Sequence, residues 1–290
     1  MGKANRRKKV NPVKLANYRP PIPFVNRPFE GLAIERELVA MREIIPCATL
    51  PAKTNAKHGK VEFEFVTLLP DGAGAVVRTD GQILVGLQTR FHTGDLSHDL
   101  AAALLAAIAL KEGGETGVAQ FDVRDPAPRL QEVLGECGEM QITDSFEFWL
   151  DSTEESTPER EQALEQNREE MVPTQAIDGV EGMFWCSMHN DFVRYVLDVD
   201  EEKLFTALAR LQAAREATLG QDSKFVGAFR ACGIAIPVFQ VSSELSLEEL
   251  TEPAQQLTER LKKALAKRKA LTPDEKRARD GLISRQVTIR

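Results

Sequence analysis

Apolar residues change their spacing several times along this chain, and each change marks an element. Val61, Phe63 and Phe65 alternate with Glu62 and Glu64, the two-residue period of a half-buried strand. Ala75 to Arg78 and Gln82 to Leu87 flank Asp80-Gly81, which predicts a hairpin because Gly takes a positive φ without steric cost. Behind Asp95, an N-cap residue, Leu96, Leu100, Ala103, Leu104, Ala107 and Ile108 recur at helical spacing until Gly113-Gly114 stops the helix. A strand is expected near Ala119 to Val123 and a short helix near Pro128 to Leu134. Phe146, Phe148 and Leu150 alternate and predict one more strand.

The second half shows a related order. Met183 to Met188 and Phe192 to Leu197 read as strands around the turn Met188-His189-Asn190-Asp191. Asp200 caps a helix with Leu204, Leu208 and Leu211 on its apolar face, and Glu201 and Glu202 sit favourably near its N-terminus. Strands at Phe225 to Phe229 and Ile234 to Val241 flank Cys232-Gly233. Hairpin, helix and strand thus follow one another twice, at about 75–123 and 183–229, with no residue motif shared between the copies. A helix from Ala33 to Ile44 precedes this, ended by Pro46. At the far end Leu257, Leu261, Ala264 and Leu265 form a stripe, and Thr272-Pro273-Asp274-Glu275 is a capping box with Pro at the first position.

The pattern predicts an α/β (α+β) fold: mixed sheet or sheets with packed helices, two related hairpin-helix-strand units, and C-terminal helices. Residues 1–27 read as an irregular arm, since Pro12, Pro20, Pro21 and Pro23 remove donors and favour extended chain. Residues 28–150 form the first unit, 151–180 an acidic, polar connector, 181–256 the second unit and 257–290 the basic C-terminal helices. The two units are either separate or parts of one compact domain.

Charge sharpens this division. The formal net charge is −7, yet residues 1–27 carry +8 with no acid and residues 257–290 carry +7, leaving −22 for the middle. A basic arm of this kind binds polyanions by neutralising phosphates and releasing counterions, or lies against its own acidic body. Arg6, Arg7, Lys8 and Lys9 are the nucleic-acid-binding candidates, with RNA or the ribosome as partner. The polar segment 151–170 is a candidate contact for a protein partner. The longest uncharged apolar stretch, Leu100 to Leu110, is about half of the roughly 20 residues that span a bilayer, so no membrane role is expected. Met1 to Lys9 has no apolar run behind it to make a secretory signal, which points to the cytoplasm.

Chemistry is sparse. His92, Asp95, His98 and Asp99 make the densest polar cluster, able to serve as acid-base groups or metal ligands, although a loop feeding a capped helix needs the same residues. Cys47, Cys137, Cys186 and Cys232 are scattered without zinc spacing, so no metal site is implied. Gly72 and Gly74 precede a strand rather than a helix, the wrong context for a phosphate loop, and no cofactor is implied.

Several stretches carry a resemblance. Arg27-Pro28-Phe29-Glu30-Gly31-Leu32, Gly94-Asp95-Leu96-Ser97-His98-Asp99-Leu100-Ala101, Trp185-Cys186, Phe225-Val226-Gly227-Ala228-Phe229-Arg230-Ala231 and the ending Arg277 to Gln286 resemble an uncharacterised actinobacterial family, a domain of unknown function. The resemblance covers about 27–290. It implies no activity and no catalytic residue. Some members carry an N-terminal SEC-C zinc motif, which is absent here because no cysteine precedes Cys47. The residues favour a non-enzymatic accessory protein whose arm contacts RNA, the ribosome or another polyanion. A protein-binding adaptor and an enzyme with a site near His92 to Asp99 are the alternatives.

Overall fold

Two sheets and seven α-helices make up the computed structural model, which describes residues 20–151, 157–284 and 287–288. The α/β expectation is met. In the first sheet β1 (Ala48–Thr54), β2 (Glu62–Val66), β3 (Ala75–Val77), β4 (Ile83–Gly86), β5 (Gly117–Val118) and β6 (Leu134–Cys137) lie in the order β5-β3-β4-β2-β1-β6. A short β7 (Gln141–Ile142) also pairs with β1. All pairs are antiparallel except β2 with β4. The hairpin predicted at Asp80-Gly81 joins β3 to β4, with Gly81 at φ +82°.

β1 was not foreseen, because Pro51 lies in its middle and an interior proline argues against a central strand. The structure accommodates it by splitting the neighbour. β6 pairs with Ala52 and Thr54, β7 pairs with Ala48 and Thr49, and between them Gly138 N–H donates to the Pro51 carbonyl at 2.7 Å. The missing N–H therefore faces a gap in the ladder. Alternate residues Ala48, Leu50, Ala52 and Thr54 are buried, so this sheet turns one face to the core.

Helix α1 (Glu35–Glu43) occupies the middle of the molecule. Leu38, Val39, Ala40 and Met41 are all buried, and four successive residues at 100° each pass right round a helix, so α1 is enclosed on every side there. It shares one continuous core with Leu50 and Phe65 of the first sheet and with Phe184, Ile234 and Ile236 of the second. Helix α2 (Leu96–Glu112) packs into the same core through Leu100, Leu104, Ala107 and Ile108. The short α3 (Leu130–Val133) adds Leu130 and Val133.

The polar helix α4 (Pro158–Glu170) leads to a second sheet. Its strands β8 (Thr174–Ala176), β9 (Met183–Ser187), β10 (Asp191–Tyr195), β11 (Lys224–Ala231), β12 (Ile234–Val241) and β13 (Val287–Thr288) run in the order β13-β11-β12-β10-β9-β8. Only β11 with β13 is parallel. Ile234, Ala235, Ile236 and Pro237 are buried in succession, as expected of a strand covered on both faces. One face meets the α1 core. The other packs Val193, Ala235 and Phe239 beneath α5 (Glu201–Ala213), α6 (Leu247–Ala266) and α7 (Pro273–Ser284). Buried Arg210 of α5 donates to the carbonyls of Ala264, Lys267 and Lys269, tying α5 to the C-terminal end of α6 and the chain just beyond it.

Two expected strands are absent. The chain leaves the sheet after β5 and its last bond, Ala119 N–H to the Ala75 carbonyl, and Phe121 then covers Gly74, where a Cβ would sit 2.9 Å from the ring. Residues Glu147–Trp149 form a 3₁₀ turn instead of a strand. That turn brings Phe146 and Trp149, three apart, into a stack with centroids 4.4 Å apart, and Trp149 Nε1 donates to the Leu68 carbonyl at 2.8 Å. Aromatic packing and a satisfied indole outweigh an alternation of only three residues.

Candidate functional site

The polar cluster predicted around the start of α2 lies where the first sheet, the segment 24–30 and the β11–β12 turn meet. Asp95 is the N-cap, accepting from Ser97 N–H at 3.1 Å and His98 N–H at 3.5 Å. Its carboxylate also pairs with Arg129, Nε at 2.7 Å and Nη2 at 3.3 Å. Arg129 Nη2 donates onward to the Pro28 carbonyl, which accepts Gln131 Nε2 as well. Ser97 Oγ donates to Gln131 Oε1 and accepts from Leu130 N–H. The start of α2, the start of α3 and residues 28–30 are thereby stitched together.

Asp99 serves the other side of the same loop. It accepts from the Thr93 N–H and the Thr93 hydroxyl, both at 2.6 Å, and lies 3.0 Å from His98 Nδ1. His98 Nε2 lies 3.0 Å from the Asp125 carbonyl, so both ring nitrogens have a partner. Asp95, His98 and Asp99 are all buried with these partners. His92 points elsewhere: it is exposed, and its Nδ1 contacts the carbonyl of adjacent Thr93 at 3.1 Å. The structure thus brings three of the four candidates into one internally bonded network that holds a loop. It leaves the fourth outside that network. Arg6, Arg7, Lys8 and Lys9 lie outside the described residues.

A second constellation was missed because its members are far apart in sequence. Arg42 and Glu43 end α1, and Cys232 opens the β11–β12 turn with φ +47°. Arg42 donates to the Leu87 carbonyl, its Nε is 3.1 Å from Glu43 Oε1, and Cys232 Sγ lies 3.9 Å from the same oxygen. Burial, aided by Glu43, pushes the Cys232 thiol up to about 12, and burial takes Cys47 up to about 11. Burial raises Cys137 and Cys186 as well. These are protonated thiols at neutral pH and poor nucleophiles. Only the pairing of Arg42 and Glu43 just before Pro46 is visible in the sequence, and that is an ordinary helix end.

Segment 24–28 is fixed between the two halves. Val25 N–H donates to the Gly94 carbonyl at 2.8 Å, and Arg27 forks onto Glu35 with bonds of 2.7 and 2.8 Å while reaching the Asp198 carbonyl at 3.1 Å. Two open cavities, each about 650 Å³, border the stretch from Leu87 to Leu96. One has Phe24 and His92 at its rim, and the other has Arg90 and Phe91 over a floor of Leu96, Leu100 and Phe121. Among the described residues no three His, Cys, Asp or Glu side chains come together as a metal site, and no helix is long and apolar enough to cross a membrane.

Fold and site together define an α/β protein of two mixed sheets around one enclosed helix, with its densest polar cluster bonded internally at their junction. The sequence model of the Family of unknown function (DUF5926) matches residues 28–290, and the chain belongs to that family. No curated protein and no solved structure matches it.

Proposed function

We propose that this is a non-enzymatic, cytoplasmic accessory protein that holds RNA, free or within the ribosome, through the basic segment ahead of Pro20. The observation that carries the reading is charge segregation: +8 without one acid in residues 1–27, against −22 in the middle of the chain. A cationic segment on an acidic body gains affinity by releasing counterions from a polyanion, while the body repels the same polyanion. The internal bonding of Asp95, His98 and Asp99 supports the non-enzymatic part, since those groups are occupied in holding a loop.

A salt titration of binding to single-stranded RNA tests it. If Arg6, Arg7, Lys8 and Lys9 each neutralise one phosphate, log K falls against log salt with a slope of about −0.7 per contact, near −3 in all. Deleting residues 2–9 removes that slope. Equal affinities and slopes for the full and shortened chains would refute the reading.

A further inference from the structure

We propose that Phe24 and Phe91, with Arg90 beside them, form a platform on which unpaired bases of single-stranded RNA stack while its phosphates run onto the basic N-terminal segment. The proposal rests on the RNA-binding reading and names the part of the partner that the folded body takes. Phe24 is 78% exposed and Phe91 73% exposed, the two most exposed large apolar side chains among the described residues. A lone exposed apolar side chain means little, but these two are aromatic and flank one short stretch of chain.

Both rings stand on fixed backbone. Phe24 packs so closely on Gly94 that a Cβ there would lie 2.8 Å from the Phe24 Cα, and the neighbouring Val25–Gly94 bond locks this contact. Phe91 is set by the Arg90 N–H bond to the Gly72 carbonyl and by the Thr89 hydroxyl bond to its own carbonyl. Phe91 and Gly94 are three residues apart, so their Cα atoms are separated by no more than roughly 11 Å. With Phe24 seated on Gly94, the two aromatic residues stand on fixed backbone with Cα atoms no more than roughly 15 Å apart, which suits a short run of splayed bases because every base offers a π-face.

The charges nearby fit the same occupant. The Arg90 guanidinium is exposed and has no hydrogen-bond or ion-pair partner among the described residues. Arg42 is held by Leu87 and Glu43, and Arg230 by Glu201, so neither offers a free cation. Asp71 shares the Arg90 cavity and opposes a phosphate, whereas Asp122 is neutralised by Arg124. Lys14 and Arg19 precede Phe24 by ten residues or fewer along the sequence, so the cationic segment is joined to the platform by a short length of chain.

The test uses the full-length protein, the double variant F24A/F91A and the aromatic replacement F24W/F91W, each binding a single-stranded RNA and a duplex of equal length at fixed salt. Removing both rings should weaken single-strand binding by roughly tenfold or more per ring, leave duplex binding and the salt slope unchanged, and be reversed by tryptophan. Thermal stability should not change, since both rings face solvent. If the double variant matched the parent on the single strand while the salt slope persisted, the platform would be wrong and the basic-segment reading would stand. A drop in thermal stability on removing the rings would also overturn the platform, by showing that they pack on their own chain. No arm-dependent binding of either RNA by the parent protein would remove both readings.

Discussion

Leu104 sits at the centre of the α2 contact with the core and is wholly buried. Leu104→Ala should destabilise the protein by about 2 to 5 kcal/mol, read as a lower urea midpoint at unchanged slope, because the neighbours refill only part of the vacated space. A shift under about 0.5 kcal/mol would mean that α2 is not the core helix described here. Leu104 was legible in the sequence because its partners on the same helix face recur at fixed spacing. Asp95 was legible for a similar reason, since capping involves only Ser97 and His98. Its pairing with Arg129 was not, because a contact across 34 residues leaves no local trace. The same holds for Cys232 and Glu43, joined only by the folded path of the chain.

Helix α7 begins as the sequence predicts: Thr272 Oγ1 accepts from Glu275 N–H, and Glu275 accepts from Thr272 N–H at 2.7 Å. Thr272→Ala should fray this first turn at a local cost of about 1 kcal/mol, seen as faster amide exchange at 273–276 with the core strands unaffected. The hydrogen bond from the Thr272 backbone holds the Glu275 carboxyl below its ordinary value. A depressed carboxylate contributes stability above its unfolded value, and that contribution is lost as pH falls through the lower, folded value. Fraying should therefore grow as pH drops below the ordinary glutamate range, and Glu275→Gln should abolish that pH dependence. Elements with their own punctuation, such as α7, the Asp80-Gly81 hairpin and the Asp200-capped α5, could be read directly. β1 could not, because the gap that admits Pro51 belongs to its neighbours, β6 and β7. Residues 146–150 misled, because three alternating positions are too few to outweigh one aromatic stack.

The two halves are coupled through segment 24–28, and one glycine tests that coupling. Gly233 lies at φ +75°, and a Cβ there would come within 2.5 Å of the Asn26 carbonyl oxygen and 2.7 Å of Arg27 Cβ. Gly114, at φ +76°, has open space around it. Both alanine variants carry the strain of a left-handed residue, so their difference isolates the crowding. Gly233→Ala should be the less stable by about 1 to 3 kcal/mol and should expose residues 20–28 to protease. Equal stabilities would show that the segment is not clamped by the β11–β12 turn. The recurrence of hairpin and helix was visible along the sequence, but the core uniting the two halves was not, since α1 carries no signal of a second sheet waiting for it.

That enclosed helix sets a timetable for the newborn chain. A ribosome adding about 5 to 20 residues per second exposes α1 long before β12, which follows roughly 200 residues later, an interval of about 10 to 40 s. Throughout it, the side of Leu38 to Met41 destined for Ile234 and Ile236 has no native partner. The cationic segment emerges earlier still, so the growing chain presents its charge to the surroundings well before its interior can close.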